Sequence, residues 1–256
     1  MMTRDRRMST AVIVVCLTAL PLFGGCESLN RFTTGFNRGL DRVILKPISK
    51  VYVAVTPKPI RKGLGNAFDN LAYPNVILND FLQGKFRQGF GDLGRFTVNS
   101  TIGIGGLLDV ATRMGLEAHD EDFGQTLGVW GAPAGPYMVL PVLGPTTLRD
   151  LPDYPVRFVT NPLLYANPPI EASVPLGVVR AADSRSRAED SIKSRDEAAV
   201  DRYLFTREAY LQHRLFLIHD GQMPLPELPE LPDDEDEDTD QSGTIPPPPP
   251  PADSPD

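Results

Sequence analysis

Glycine and proline interrupt this chain so often that short helices are the longest regular pieces most of it can sustain. Its 256 residues include 26 prolines and 22 glycines. Each internal proline removes a helical N–H donor, and each internal glycine makes a helix about 1 kcal/mol less stable than alanine would. Strict apolar/polar alternation is rare between Cys26 and Gln222, whereas apolar steps of three and four residues recur, so the chain reads as mainly α. In the segment 36–55, Phe36, Leu40, Val43, Ile44, Ile48, Val51 and Tyr52 mark an amphipathic helix, kinked at Pro47 and ended by Pro57 and Pro59. Further helices are expected over 60–71 and 75–82, with Gly84 as a stop.

Residues 84–106 are helix-length and apolar, yet carry Gly84, Gly89, Gly91, Gly94, Gly103, Gly105 and Gly106. So many glycines imply close backbone packing or mobility. The apolar run 102–108 is far shorter than the roughly 20 residues a spanning helix needs, leaving it to dip into one leaflet or pack internally. From 124 to 150, nine glycines and prolines read as a loop system holding the lone Trp130 beside Tyr137 and Met138. Two roles are open for Trp130: an anchor at a membrane interface, or a buried anchor for the loop. After Pro175 no proline occurs until Pro224, so a long helix or a pair is expected there. Its charged start would stay solvated, and Leu204, Leu211, Leu215 and Ile218 would dock on the body.

The N-terminus fixes the compartment. Arg4, Arg6 and Arg7 precede an apolar run from Ser9 to Phe23 and then Gly24-Gly25-Cys26, the layout of an export signal (1–25) ending at a lipidated Cys26. The competing reading is an ordinary secretory signal cleaved elsewhere, which leaves a free thiol. Cys16 is lost with the signal, so the exported chain keeps one cysteine and no internal disulfide. Its fold rests on burial alone, and firm anchoring requires several acyl chains on Cys26 or added apolar contacts.

Net charge is −8, but residues 223–256 hold eleven acids and no base, and the leader holds three arginines against one aspartate. The remaining 26–222 is therefore close to neutral, at +1. No basic stripe marks this domain as a nucleic-acid binder. Acidic from Asp233 to Asp238 and all proline from Pro246 to Pro251, the tail 223–256 cannot offset the entropy of ordering and reads as disordered.

Signals for catalysis are weak. His119, Asp120, Glu121 and Asp122 cluster, but adjacent side chains diverge and no metal-ligand spacing accompanies them, so a solvated turn or helix cap is the expectation, with no metal and no cofactor. Neither Gly-x-Ser-x-Gly nor a phosphate-loop signature occurs. A hidden phospholipid hydrolase would have to use His119, His213 or His219.

Ordered segments through 29–222 carry a resemblance: LKP at 45–47, NDFLQGKF at 79–86, GRFTVNSTIGIGGLLDVA at 94–111, DEDFGQTLGVWG at 120–131, GPYMVLPVLGPTTLRD at 135–150 and REAYLQ at 207–212. The chain resembles the MlaA/VacJ outer-membrane lipoproteins. That resemblance implies a single ring-like helical domain (26–222) in the inner leaflet of the outer membrane, anchored by lipid on Cys26, with an amphipathic channel. Phospholipids misplaced in the outer leaflet enter it and pass to the periplasmic carrier MlaC, beside a trimeric porin, without catalysis. On the family motifs, Gly103, Gly105, Gly106, Trp130, Gly135, Pro136 and Tyr137 are expected in the channel or its gating loop. Glu27 after the cysteine resembles the sorting signal for outer-membrane delivery, and the tether is very short. The tail lies outside the resemblance. The competing reading is a structural lipoprotein that braces a porin without moving lipid.

Overall fold

A computed structural model describes residues 27–222. The leader, Cys26 and the tail lie outside the described residues. The expected first helix is longer than its apolar pattern suggested. Helix α1 (Glu27–Leu40) runs through a π-helical turn (Asp41–Leu45) into α2 (Lys46–Val55). The wide turn precedes Pro47, whose ring would crowd the carbonyl of an ordinary preceding turn, so the proline is absorbed at the start of α2. Pro57 and Pro59 then open α3 (Lys58–Asn70), and Pro74 lies in the first turn of α4 (Tyr73–Leu82). Gly84 stops α4 in a left-handed conformation, φ +77°.

Glycine does not break the next segment. Helix α5 (Phe86–Thr101) keeps Gly89, Gly91 and Gly94 inside it. A Cβ on Gly89 would lie 3.0 Å from the Phe81 ring and 3.1 Å from the Asp80 Cβ, so this glycine lets α4 and α5 close together. The chain continues through α6 (Val110–Arg113) and α7 (Phe123–Val129) to a hairpin of β1 (Tyr137–Leu140) and β2 (Gly144–Thr147). Its antiparallel register pairs Tyr137 with Thr147 and Leu140 with Gly144. Both α7 and the hairpin fall within 124–150, which the sequence presented as loop. The C-terminal half is α8 (Asp153–Thr160), α9 (Pro162–Ala166), α10 (Ile170–Arg187), α11 (Glu189–Ala198) and α12 (Arg202–Ile218), so the expected long helix or pair is three helices. The architecture is mainly α, with one small two-stranded sheet among the described residues.

Packing closes these elements into a circuit: α1 on β1, β1 on β2, β2 on α12, α12 on α7, α7 on α4, α4 on α5, α5 on α3, α3 on α10, α10 on α2, and α2 back to α1 through the π turn. One joint is made by side-chain amides. Asn30 donates to the Tyr137 carbonyl (3.0 Å) and accepts from the Val139 amide (2.9 Å). Two helical turns on, Asn37 donates to the Leu140 carbonyl (2.9 Å) and accepts from the Val142 amide (2.8 Å). The free edge of β1 is thereby paired by a helix in place of a strand.

Burial is inverted relative to a protein that folds in water. The largest fully buried side chains are Gln125, Asn79, Thr126, Thr146, Thr147, Asp80, Asp92 and Asp183. Helix α5 buries Gly89, Asp92, Arg95 and Asn99 along one face and exposes Phe86, Phe90 and Leu93. Helix α1 buries Asn30 and Thr33 and leaves Phe32 (73 %) and Phe36 (50 %) exposed, with Val43, Val51 and Val55 continuing the apolar surface. In water, so much contiguous apolar surface opposes solubility, whereas against lipid it is the stable face. None of the described helices is long and apolar enough to cross a membrane.

Candidate functional site: an amphipathic double cavity

The polar interior is organised by arginine–carboxylate joints. Asp122 caps α7 through the Gln125 amide (2.8 Å) and is gripped by Arg214 of α12, Nη1 to Oδ2 at 2.5 Å and Nη2 to Oδ1 at 2.9 Å. Arg214 also donates to Asp150 (2.8 Å), which accepts from the hydroxyls of Tyr210 and Thr147 (both 2.7 Å). Burial alone would raise the Asp122 carboxyl, but Arg214 and the Gln125 amide hold it below the ordinary carboxylate range. Gly124 makes this joint sterically feasible, since a Cβ there would lie 2.3 Å from Asp150 Oδ1. Asp122 is therefore a helix cap, as expected, but a buried one. Glu121 is buried as well, held by Lys85 (2.8 Å) and Gln83 (2.8 Å), which corrects the solvated turn read from the sequence.

A second buried cluster joins α4 to α5. Asp80 and Asp92 are both fully buried, Gln88 donates to Asp80 Oδ1 (2.7 Å), and His119 Nδ1 meets Asp92 Oδ2 (2.8 Å). The remaining oxygens, Asp80 Oδ2 and Asp92 Oδ1, have no other donor, and one proton held between the two carboxyls gives each a partner. Burial, then the charge of Asp92 and its hydrogen bond, push Asp80 up to about 7. The sequence cluster is thus split: His119 turns to α5, Glu121 to Lys85 and Asp122 to Arg214. Among the described residues, no group of acids, histidines or cysteines is arranged to hold a metal ion. His213 lies exposed on α12, and His219 just after it faces the Leu215 carbonyl.

Two adjoining cavities lie where α8 meets α4 and α10. The first, about 240 Å³, has mixed walls, with Asn75, Asp120, Glu121, Arg157, Thr160 and Arg180 beside Leu71, Val76 and Phe158, and is the more polar of the two. The second, about 320 Å³, is mostly apolar, with Phe68, Leu163, Leu164, Pro168, Leu176 and Gly177. Phe158, Asn161 and Arg180 belong to both, so the guanidinium of Arg180 stands at the junction of a polar and an apolar compartment.

The glycines and aromatics picked out by the family motifs line neither cavity. Gly103, Gly105 and Gly106 form the elbow between α5 and α6, packed against α3. A Cβ on Gly103 would lie 2.3 Å from the Leu108 carbonyl oxygen, and one on Gly106 (φ +90°) 2.5 Å from the Asn70 side chain. Asn99 fastens the elbow by accepting from the amides of Val110 and Ala111, both at 2.9 Å. Ile102, Ile104 and Leu108 project from it, exposed. Trp130 is not the buried anchor of the second reading: its indole donates to the Leu82 carbonyl (3.1 Å), but more than half of it stays exposed. Gly135 (φ +68°) and Pro136 seat the hairpin on Leu148, and Tyr137 packs edge-on against Tyr203 and Tyr210. The cavity residues Arg157, Phe158, Leu176, Gly177 and Arg180 were not singled out from sequence.

Comparison with known proteins accounts for this arrangement. Residues 25–217 match the family described as MlaA lipoprotein. The intermembrane phospholipid transport system lipoprotein MlaA of Escherichia coli is 34 % identical over 214 residues, covering 79 % of this chain and 81 % of that protein. Its counterpart in Haemophilus influenzae is 33 % identical over 220 residues, covering 81 % and 84 %. An uncharacterized protein of Rickettsia typhi is 36 % identical over 147 residues, and the match spans 57 % of this chain and 59 % of that relative. A solved structure from work on the structural basis for maintenance of bacterial outer membrane lipid asymmetry superposes with a TM-score of 0.64 at 33 % identity, covering 75 % of this chain and 97 % of that one. With sequence, inverted burial and fold in agreement, the chain belongs to the MlaA lipoprotein family.

Proposed function

We propose that this protein removes phospholipid from the outer leaflet of an outer membrane and passes it to a soluble periplasmic carrier such as MlaC, beside a trimeric porin. Residues 26–222 act as the lipid-handling domain, released from the leader 1–25, anchored by lipid on Cys26 and followed by a dispensable tail, 223–256. The observation that carries this reading is the pairing of an apolar exterior with two adjoining open cavities whose linings match the two ends of a phospholipid. Apolar faces on the adjoining α1 and α2 and, elsewhere in the packing circuit, on α5 suit a ring seated in one leaflet. The family relatives named for intermembrane phospholipid transport support the same reading. Transfer needs no bond chemistry: a lipid moves between surfaces of similar affinity, and geometry selects the leaflet it leaves.

The reading is tested by measuring outer-leaflet phospholipid in cells lacking the protein and complemented with wild type or Cys26→Ala. A rise reversed only by the lipidated form is the expected result. An unchanged leaflet, together with loss of porin association, would instead favour a bracing lipoprotein.

A further inference from the structure

The charges at the polar cavity are unequal in commitment. Glu121 is taken up by Lys85, Gln83 and Gln88. Arg157 is ion-paired with Asp153 and reaches Asp122 at 3.4 Å. Arg180 and Asp120 remain: both are exposed, both line the cavity, and among the described residues neither side chain forms an ion pair or a side-chain hydrogen bond. Elsewhere this chain pairs its buried arginines closely, as at Arg214, Arg185 and Arg95. Two opposite charges that face one cavity without meeting form a complementary frame for a ligand carrying both signs.

We infer that Arg180 and Asp120 form a zwitterionic head-group subsite, with Arg180 binding the lipid phosphate, Asp120 the ammonium of a phosphoethanolamine, and an acyl chain entering the cavity of Phe68, Leu163, Leu164 and Leu176. This rests on the proposed lipid path and adds its selectivity. A planar guanidinium offers forked donors to phosphate oxygens, and a carboxylate accepts from an ammonium group. The position of Arg180 at the junction of the two cavities places the phosphate where polar wall gives way to apolar wall, as the order of groups in a phospholipid requires. An anionic phosphoglycerol head would satisfy Arg180 but bring no cation to Asp120.

The test measures binding of dihexanoyl-phosphatidylethanolamine and dihexanoyl-phosphatidylglycerol to the full-length lipidated protein in nanodiscs, for wild type, Arg180→Gln and Asp120→Asn. Wild type should prefer the ethanolamine lipid about tenfold, as a net gain near that of one charge-assisted hydrogen bond implies. Arg180→Gln should weaken both lipids, whereas Asp120→Asn should weaken only the ethanolamine lipid. Since neither side chain holds a structural partner, both variants should melt with wild type. If wild type binds both lipids alike and the variants change nothing, the head-group subsite is overturned while the lipid path stands. If neither lipid binds wild type, the subsite and the lipid path fail together.

Discussion

Two arginines of this chain sit in opposite circumstances. Arg214, under α12, meets Asp122 and Asp150 in a closed joint that Tyr210 and Thr147 complete. Arg180, on α10, lines a cavity that Asp120 and Glu121 also line, yet forms no ion pair with either. The same side chain therefore serves as mortar in one region and as bait in the other, and the difference lies in what the fold brings to it. Asp122 and Asp120 repeat the contrast two residues apart, one locked and one open. Burial accounts for the contrast: a charge buried without a partner is costly, so Arg214 and Asp122 are paired, whereas Arg180 and Asp120 are exposed and can stay open.

The largest effect should come from opening the closed joint. Arg214→Ala takes from two buried carboxylates their closest cation and should cost about 3 kcal/mol, read as a fall in melting temperature, while Arg180→Ala should fall within about 0.5 kcal/mol of wild type. Equal melting of the two variants would erase the contrast. Gly103→Ala comes next: its Cβ meets the Leu108 carbonyl and the backbone of Asn99, so a loss of about 1–3 kcal/mol is expected, against a much smaller change for Gly105→Ala, which meets open space but has φ +67°. Valine at Gly103 or Gly106 should therefore impair folding before any effect on transport can be read.

Acidity separates two buried clusters in opposite directions. Asp122 has its carboxyl depressed on folding, so its stabilisation is present above the ordinary carboxylate value near 3.8 and lost as pH falls below it. Asp80 is raised, so the folded chain holds a proton that the unfolded chain gives up. That contribution is full below about pH 3.8 and is lost as pH rises toward 7. Denaturant melts from pH 4 to 8 should therefore lose a neutral-range decline in Asp80→Asn, whose amide can donate to Asp92. The same decline in the variant would show that the two aspartates share no proton. The smallest effect is expected from Asp120→Asn, which should leave stability unchanged at every pH, whereas Asp122→Asn should lower it.

Local chemistry was legible in the sequence wherever a residue acts on its own backbone. Proline breaks and the stop at Gly84 fall close to where the pattern placed them. Facing was harder. Leu211 and Ile218 dock on the body, but Leu204 and Leu215 are exposed, and Tyr203, Tyr210 and Arg214 take the inner face of α12. Apolar periodicity marks the face that avoids water, which in an aqueous fold is the inside. Here the inside is polar, so the rule points outward on α1 and α5 and part of α12. The hairpin was missed because β1 is buried at all four positions and shows no alternation. Asp183 and Arg185 lie inside a segment read as solvated, joined to Tyr52 and Asp41 across the chain. Arg180 did carry a local signal that the reading passed over: it is the one base in the stretch 172–182, otherwise apolar but for Ser173.

The central claim is that lipid passes through the double cavity, and Gly177 offers a way to close it. A Cβ there meets nothing within 4 Å, and the residue lines the apolar half, so Gly177→Trp is expected to narrow the cavity without a backbone clash at its Cβ. The decisive measurement is outer-leaflet phospholipid in cells whose only copy is Gly177→Trp, with the variant's melting temperature confirmed equal to wild type. Accumulation matching that of cells without the protein is the predicted result; a leaflet as clean as with wild type would contradict the account.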